Sequence, residues 1–250
     1  MTLESTDRTK TAIAKSAGLT HRGHVRQVNE DAFLDRGDHG LWVVADGMGG
    51  HDAGDVASRM IVETLRCVQL SGPLAERLNQ IEDMLDQVNE NLLERSSTTN
   101  GQKHIIGSTI ALLAATDRRM GVVMWAGDSR IYRLRQGNLV QLSADHSQVE
   151  TYIRQGLITR EEARRHPERH IITRAVGSQE ELYLEADLCE FSHGDRYLLC
   201  SDGLTRHVED DEIRELLAQG TPEEACNKLL DLTLDRGARD NVTAVVVEID

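Results

Sequence analysis

Five short stretches of this chain set aspartate beside small or polar residues, in places where a backbone can present a carboxylate. They are Arg26-Gln27-Val28-Asn29-Glu30-Asp31-Ala32, Val43-Val44-Ala45-Asp46-Gly47-Met48-Gly49-Gly50-His51, Ala126-Gly127-Asp128-Ser129-Arg130, Leu199-Cys200-Ser201-Asp202-Gly203-Leu204 and Arg239-Asp240-Asn241-Val242. Where an apolar run precedes the aspartate, a rigid strand would hold it, and a following glycine leaves the backbone free to turn sharply. Gly47 can then offer its carbonyl to whatever Asp46 binds. Carboxylates converging on one point repel one another and rise in pKa unless a cation neutralises them. Oxygen donors with room for water select Mg²⁺ or Mn²⁺ over zinc. Two such ions side by side can share a water, lower its pKa and aim it at phosphorus. Each stretch alone is weak, since Asp-Gly is commonly an ordinary turn and Gly127-Asp128-Ser129-Arg130 reads equally as a hairpin. The ordered set of five is what resists that reading.

Those aspartates need elements to position them. Strand-like runs, rich in apolar and β-branched residues, fall at 41–45, 108–116, 121–126, 130–135, 182–191, 196–200 and 242–249. Short connections, with turns at Asp117-Arg118-Arg119 and Gln136-Gly137-Asn138, imply antiparallel pairing. Two helices follow each other early. In the first, at 53–68, Val56, Met60, Ile61, Leu65 and Val68 share a face. In the second, at 74–92, Leu74, Leu78, Ile81, Leu85, Val88 and Leu92 alternate steps of four and three. That second stripe is too short for a coiled coil and fits a helix lying on a sheet. A later pair spans 211–218 and 222–235, the last opening with a capping box, Thr221 to Glu224, and Pro222 at its first turn. Strands, two helices, many strands, two helices and a strand predict an α+β fold, with antiparallel sheets covered by helices on the outside.

The chain has 250 residues with 28 basic and 42 acidic side chains, a formal charge of −14. It lacks the positive surplus a nucleic acid or anionic membrane would demand, and part of the negative surplus can be metal ligands. Cys67, Cys189, Cys200 and Cys226 are scattered without zinc or redox spacing and read as small core residues. No run resembles a signal peptide or a membrane span, so a soluble, cytoplasmic protein is expected. One domain over residues 11–250, after a loose start at 1–10, accounts for the absence of repeats and linkers.

Taken together, the five stretches resemble the metal-dependent protein phosphatases of the PPM, or protein phosphatase 2C, family, and closely its small bacterial branch. The resemblance runs from about Ala17 to Ile249 and includes Ser143-Ala144-Asp145-His146-Ser147 and Ile171-Ile172-Thr173-Arg174-Ala175-Val176-Gly177. It implies a four-layer α-β-β-α sandwich, two antiparallel sheets flanked by helix pairs. It also implies a protein serine/threonine phosphatase in which water between two Mn²⁺ or Mg²⁺ ions attacks phosphorus directly. Asp46 would bridge the two metals, Gly47 would bind one through its carbonyl, and Asp202 and Asp240 would complete the other. Asp31 and Glu30 would act near them through bound water, Asp128 with Asp202 would form a third-metal site, and Arg26 would grip the substrate phosphate. Partners implied are phosphorylated proteins, a Ser/Thr kinase and its targets among them, in type VI secretion or stress signalling, with the chain a monomer.

The Arg26 role also makes sense by itself, because a guanidinium gives bidentate hydrogen bonds to phosphate; the alternative is a surface ion pair with Glu30, four residues on. Met48 stands where better-known members carry a histidine assigned as general acid. A thioether donates no proton, which leaves bound water or another group, with His51 and His146 as candidates. The segment at about 143–177, which holds a second capping box from Thr159 to Glu162, is by resemblance a flap beside the site; the alternative is a surface excursion. Two rival functions are a catalytically dead phosphoprotein-binding relative, disfavoured by the intact motifs, and another two-metal hydrolase such as a nuclease or small-molecule phosphatase, disfavoured in the first case by the acidic chain.

Overall fold

Strand β3 (Leu41–Met48) shows how the layers arise, because alternate side chains leave a strand on opposite faces. Leu41, Val43 and Ala45 enter one apolar cluster, while Trp42 and Val44 enter another. A strand covered on both faces must be apolar throughout, and this is why the inner strands read as continuous runs. The computed structural model describes residues 14–49, 53–68, 70, 72–99, 102–115 and 119–250. The loose start expected at 1–10, His51 and the turn residues Asp117 and Arg118 lie outside the described residues.

The remaining strands are β1 (Ala14–His21), β2 (Asp31–Arg36), β4 (Ser97–Thr99), β5 (Gln102–His104), β6 (Gly107–Ser108), β7 (Ile110–Ala115), β8 (Met120–Ala126), β9 (Arg130–Arg135), β10 (Asn138–Gln141), β11 (Glu185–Glu190), β12 (Arg196–Cys200) and β13 (Val242–Ile249). One sheet has the order β1-β13-β12-β9-β10, the other β11-β8-β7-β3-β2 with β6 also on β3, and β4-β5 forms a separate hairpin. Every pairing among the described residues is antiparallel. The β9–β10 turn at Gln136-Gly137 has φ of 50° and 79°, as a tight hairpin requires.

Helices α1 (Ala53–Cys67) and α2 (Leu74–Arg95) cover the outer face of the β3-containing sheet. Ala57, Ile61 and Leu65 of α1 and Ile81, Leu85, Val88 and Leu92 of α2 pack there with Leu112 and Met124. Val56, expected in the buried stripe, is 38% exposed, and Ala57 takes its place. Between the sheets lie Trp42, Val44, Leu113 and Val123 from one side and Ile131, Tyr197, Leu199 and Val245 from the other. The short helix α5 (Asp202–Thr205), α6 (Asp210–Leu217) and α7 (Pro222–Asp235) close the far face over Leu198, Ala244 and Val246. Each buried side chain of Leu or Val size contributes about 2 kcal/mol of transfer free energy. The result is the four-layer sandwich. Three cysteines are buried as expected; Cys67, at the end of α1, is exposed.

Residues 143–177, the segment expected to be a flap, contain α3 (Gln148–Arg154) and α4 (Arg160–Arg165). Thr159 and Glu162 complete the anticipated capping box of α4, and Ser147 caps α3. Both roots of the flap are pinned. Arg130 forks onto Asp145 (2.8–3.1 Å), Trp125 Nε1 donates to the Ala144 carbonyl (2.9 Å), and Ser143 Oγ accepts from the Ile131 amide (2.9 Å). At the other root, Asn89 of α2 accepts from the Gly177 amide (2.6 Å) and donates to the carbonyls of Gln179 and Glu180.

Candidate active site

The layer between the sheets is apolar at its centre and turns polar at one end. Asp46 continues the Trp42–Val44 face of β3, and Asp31 opens β2 directly opposite it in register, so the two carboxylates share a face. From the other sheet, Ser201 Oγ and Thr243 Oγ1 each donate to Asp31 Oδ2 at 2.7 Å. The backbone of Asp46 is clamped. Its amide donates to Thr109 Oγ1 (3.1 Å), while its carbonyl accepts from the Thr109 amide (2.8 Å) and Ser108 Oγ (3.0 Å). Thr109 and Ser129 share a hydrogen bond of 2.7 Å, which places the Asp128 turn beside this layer.

Two of the glycines are set by close approach rather than by an unusual φ. β3 runs on through Gly47, where a sharp turn was expected, and a Cβ there would sit 2.0 Å from the Gly54 carbonyl oxygen. A Cβ on Gly203 would lie 1.9 Å from the Asn241 carbonyl oxygen. Any side chain at either position would push apart the elements that carry Asp46, Asp202 and Asp240.

Above the polar end opens a cleft of about 790 Å³, lined by Arg26, Glu30, Asp46, Gly47, Asp202 and Asp240. Met48, Ile105 and His170, Ile172 and Arg174 of the 143–177 segment are among its other walls, with Arg206 near the acids. Asp31 and Asp128 do not line it and lie buried behind. Arg26 turns to Asp240, not to Glu30: Nε stands 2.8 Å from Oδ1 and Nη2 donates to Oδ2 at 2.9 Å. Arg206 reaches the same Oδ2 with Nη1 (2.8 Å) and also donates Nη2 to Asp202 Oδ2. Glu30 accepts the Gly54 amide at the start of α1 (3.1 Å), and its own amide donates to Asn241 Oδ1 (2.9 Å). Asn241 Nδ2 donates in turn to the carbonyls of Arg22 and Val28, fastening the loop that carries Arg26 to the start of β13.

The acids are held far from their ordinary titration range. Burial foremost, then Asp202 and Asp240, pushes Asp31 up to about 7 against the two hydroxyl donors. Burial and the Asp202 charge push Asp128 up to about 8, and burial raises Asp202 to about 6 against Arg206. Asp46 is raised well above the carboxylate range by burial and by Asp31, Asp202, Asp128 and Asp240. Among the described residues, no three Asp, Glu, His or Cys side chains form a closed cage for an ion; Asp202 and Asp240 direct their oxygens to Arg206 and Arg26. The donor set nevertheless fits a hard cation. It is oxygen only and mutually repelling, and both Asp31 Oδ1 and Asp128 Oδ1 are buried without a hydrogen-bond partner.

His146 does not reach the cleft. Its Nδ1 accepts the Gly127 amide (3.2 Å), and its ring stacks on Trp125. Its Nε2 stands 3.1 Å from Glu185 Oε1, within ion-pair distance but off hydrogen-bond alignment. It is a fastener of the flap root and no proton donor to the cleft. Among the charged and titratable residues that line the cleft, sequence reasoning passed over Arg206 and His170. The signal for Arg206 was its spacing, four residues after Asp202 at a helix start; His170 had none, since the flap's fold alone brings it in.

Fold and cleft together define a two-sheet sandwich protein with a buried acidic centre under an arginine-lined opening. The chain belongs to the protein phosphatase 2C family, whose model matches residues 17–240. Among curated relatives, the serine/threonine protein phosphatase PstP of Mycobacterium tuberculosis is 36% identical over 244 residues, matching 96% of this chain and 46% of that protein. The chain thus spans about half the length of that relative. Among solved structures, PppA, a key regulatory component of T6SS in Pseudomonas aeruginosa, superposes with a TM-score of 0.87 at 43% identity, covering 95% of this chain and 98% of PppA. The catalytic domain of PstP in complex with 2 manganese ions gives 0.83 at 34% identity, covering 95% and 99%.

Proposed function

We propose that this chain hydrolyses phosphoserine and phosphothreonine in protein substrates with the help of Mn²⁺ or Mg²⁺. The observation that supports this most is the set of buried, mutually repelling carboxylates at the base of an arginine-lined cleft. In this reading Asp46, the Gly47 carbonyl, Asp202 and Asp240 would hold two ions, Asp128 with Asp202 would hold a third, and Asp31 and Glu30 would act through bound water. When bound, such cations supply a water of lowered pKa for attack on phosphorus.

The chain's own residues orient the substrate. Arg26 offers a two-point fork that Asp240 now accepts and that a phosphate dianion can accept equally. Met48 on the cleft wall donates no proton. Burial, then Arg206 and Arg169, pulls His170 below its ordinary value, so at neutral pH it is an uncharged hydrogen-bond donor and a poor proton source. Ile105 and Ile172 at the walls give a peptide chain apolar contact beside the phosphate.

The likeness to PppA supports a place in type VI secretion, and the likeness to PstP supports serine/threonine protein phosphatase activity, which would undo the work of a Ser/Thr kinase. The net charge of −14 disfavours nucleic acid and anionic lipid, and no described helix is long and apolar enough to cross a membrane. A cytoplasmic monomer is part of the same proposal. The test is phosphate release from a phosphothreonine peptide and from an aryl phosphate. Chelation should abolish both activities and Mn²⁺ restore them; full activity in chelator refutes the reading.

A further inference from the structure

Arg206 contacts two of the acids that the proposed function needs for metal. It lies just after the four-residue helix α5, four residues from Asp202, so the two side chains share a face. One nitrogen of its guanidinium donates to Asp202 Oδ2 and another to Asp240 Oδ2 (2.8 Å), bridging acids brought in by α5 and by the loop before β13. Arg26 also donates to that Asp240 oxygen, and the Asn241 amide donates to Asp240 Oδ1 (3.0 Å). Three of the four carboxylate oxygens that these two acids could offer a cation are therefore already held by charge-assisted hydrogen bonds. Arg174, on the cleft's flap wall, is an internal contrast, because its guanidinium pairs with Glu185 (2.9 Å).

We propose that Arg206 is a built-in competitor of the metal, holding Asp202 and Asp240 until a divalent cation displaces it and thereby raising the metal concentration the protein requires. The inference rests on the reading that these two aspartates bind a cation. Displacement breaks two charge-assisted bonds, and the freed guanidinium, 35% exposed, is resolvated at the cleft mouth. Partial exposure discounts what those bonds are worth, so removing them should tighten binding by about tenfold.

The test is isothermal titration of Mn²⁺ into chelator-stripped, desalted protein at pH 8, where protons compete least for the carboxylates. R206Q should bind Mn²⁺ about tenfold more tightly than wild type, and without metal it should melt a few degrees lower, having lost the bridge. R206K keeps the charge on a single compact head that cannot span both acids, so its affinity should lie between the two; it serves if R206Q fails to fold. R174Q should leave the affinity within about twofold, because its guanidinium touches neither acid. Unchanged or weaker Mn²⁺ binding in R206Q, or an equal gain in R174Q, overturns the inference, the latter result reducing it to a general field effect. Absence of Mn²⁺ binding in every form overturns the metal reading and this inference with it.

Discussion

Replacing Asp46 by asparagine should remove activity and yet, with metal chelated, make the protein more stable. Asp46 and Asp31 face each other on paired strands, both buried, with Asp202 and Asp128 nearby. Opposed cross-strand side chains are about 5 Å apart, and two full charges at that distance repel by about 3 kcal/mol at an effective dielectric of about 20. Attraction of Asp46 to the Arg26 guanidinium offsets part of this and leaves about 1–2 kcal/mol, or roughly 3–6 °C in melting temperature for a chain of this size. The sign follows from linkage. These acids have folded-state pKa values raised above their unfolded ones, so the stability they confer is fully present below the unfolded value of about 4 and is lost progressively as pH rises from there through the folded values of about 6 to 8. D46N should therefore melt higher than wild type at pH 8 in chelator, with a smaller gap at pH 5 that closes only as pH falls below the unfolded value of about 4. In Mn²⁺, aryl phosphate turnover should fall by at least about 100-fold. Calorimetry in chelator at both pH values and a phosphate-release assay check the two halves. A destabilised D46N at pH 8, or an equal gain at pH 5, would refute the account of charge repulsion.

Three further outcomes are expected. R26A should raise KM for an aryl phosphate more than it lowers kcat, costing about 1.5 kcal/mol in kcat/KM for one exposed charge-assisted fork; unchanged kinetics would leave Arg26 as a partner of Asp240 alone. D128A should retain tight binding of two Mn²⁺ by titration while turnover falls or the Mn²⁺ requirement rises, and a crystal in high Mn²⁺ with no ion beside Asp128 would count against the third site. The exposed flap arginines Arg164 and Arg165 pair with Glu209 (3.1 Å) and Glu161 (3.8 Å), contacts worth little to stability. R164A/R165A should keep aryl phosphate turnover and impair phosphoprotein turnover, and equal losses on both substrates would make the flap tip a support of the fold.

The inner strands were legible in sequence because burial on both faces demands unbroken apolar runs, as in 196–200 and 242–249, both found at those limits. The strands that escaped notice in the main sheets, β1, β2 and β10, are edge strands. An edge is only half covered, so Ala14–His21 and Asp31–Arg36 could carry polar residues and lose the pattern. Helix α7 kept its limits because its capping box is local chemistry, closed within four residues. The aspartates too were legible as types in a fixed order.

What the sequence could not contain was which of them face one another. The β2–β3 register sets Asp31 against Asp46, and the meeting of the two sheets brings Ser201 and Thr243 onto Asp31 across separations of 170 and 212 residues. Tertiary contact also turned Arg26 to Asp240, drew His146 out of the cleft and His170 into it, and placed Arg206 between two acids. Spacing along a chain determines which residues share a strand face or a helix turn. Only the packing of distant elements determines which charges must share one buried space, and with them the titration of the whole centre.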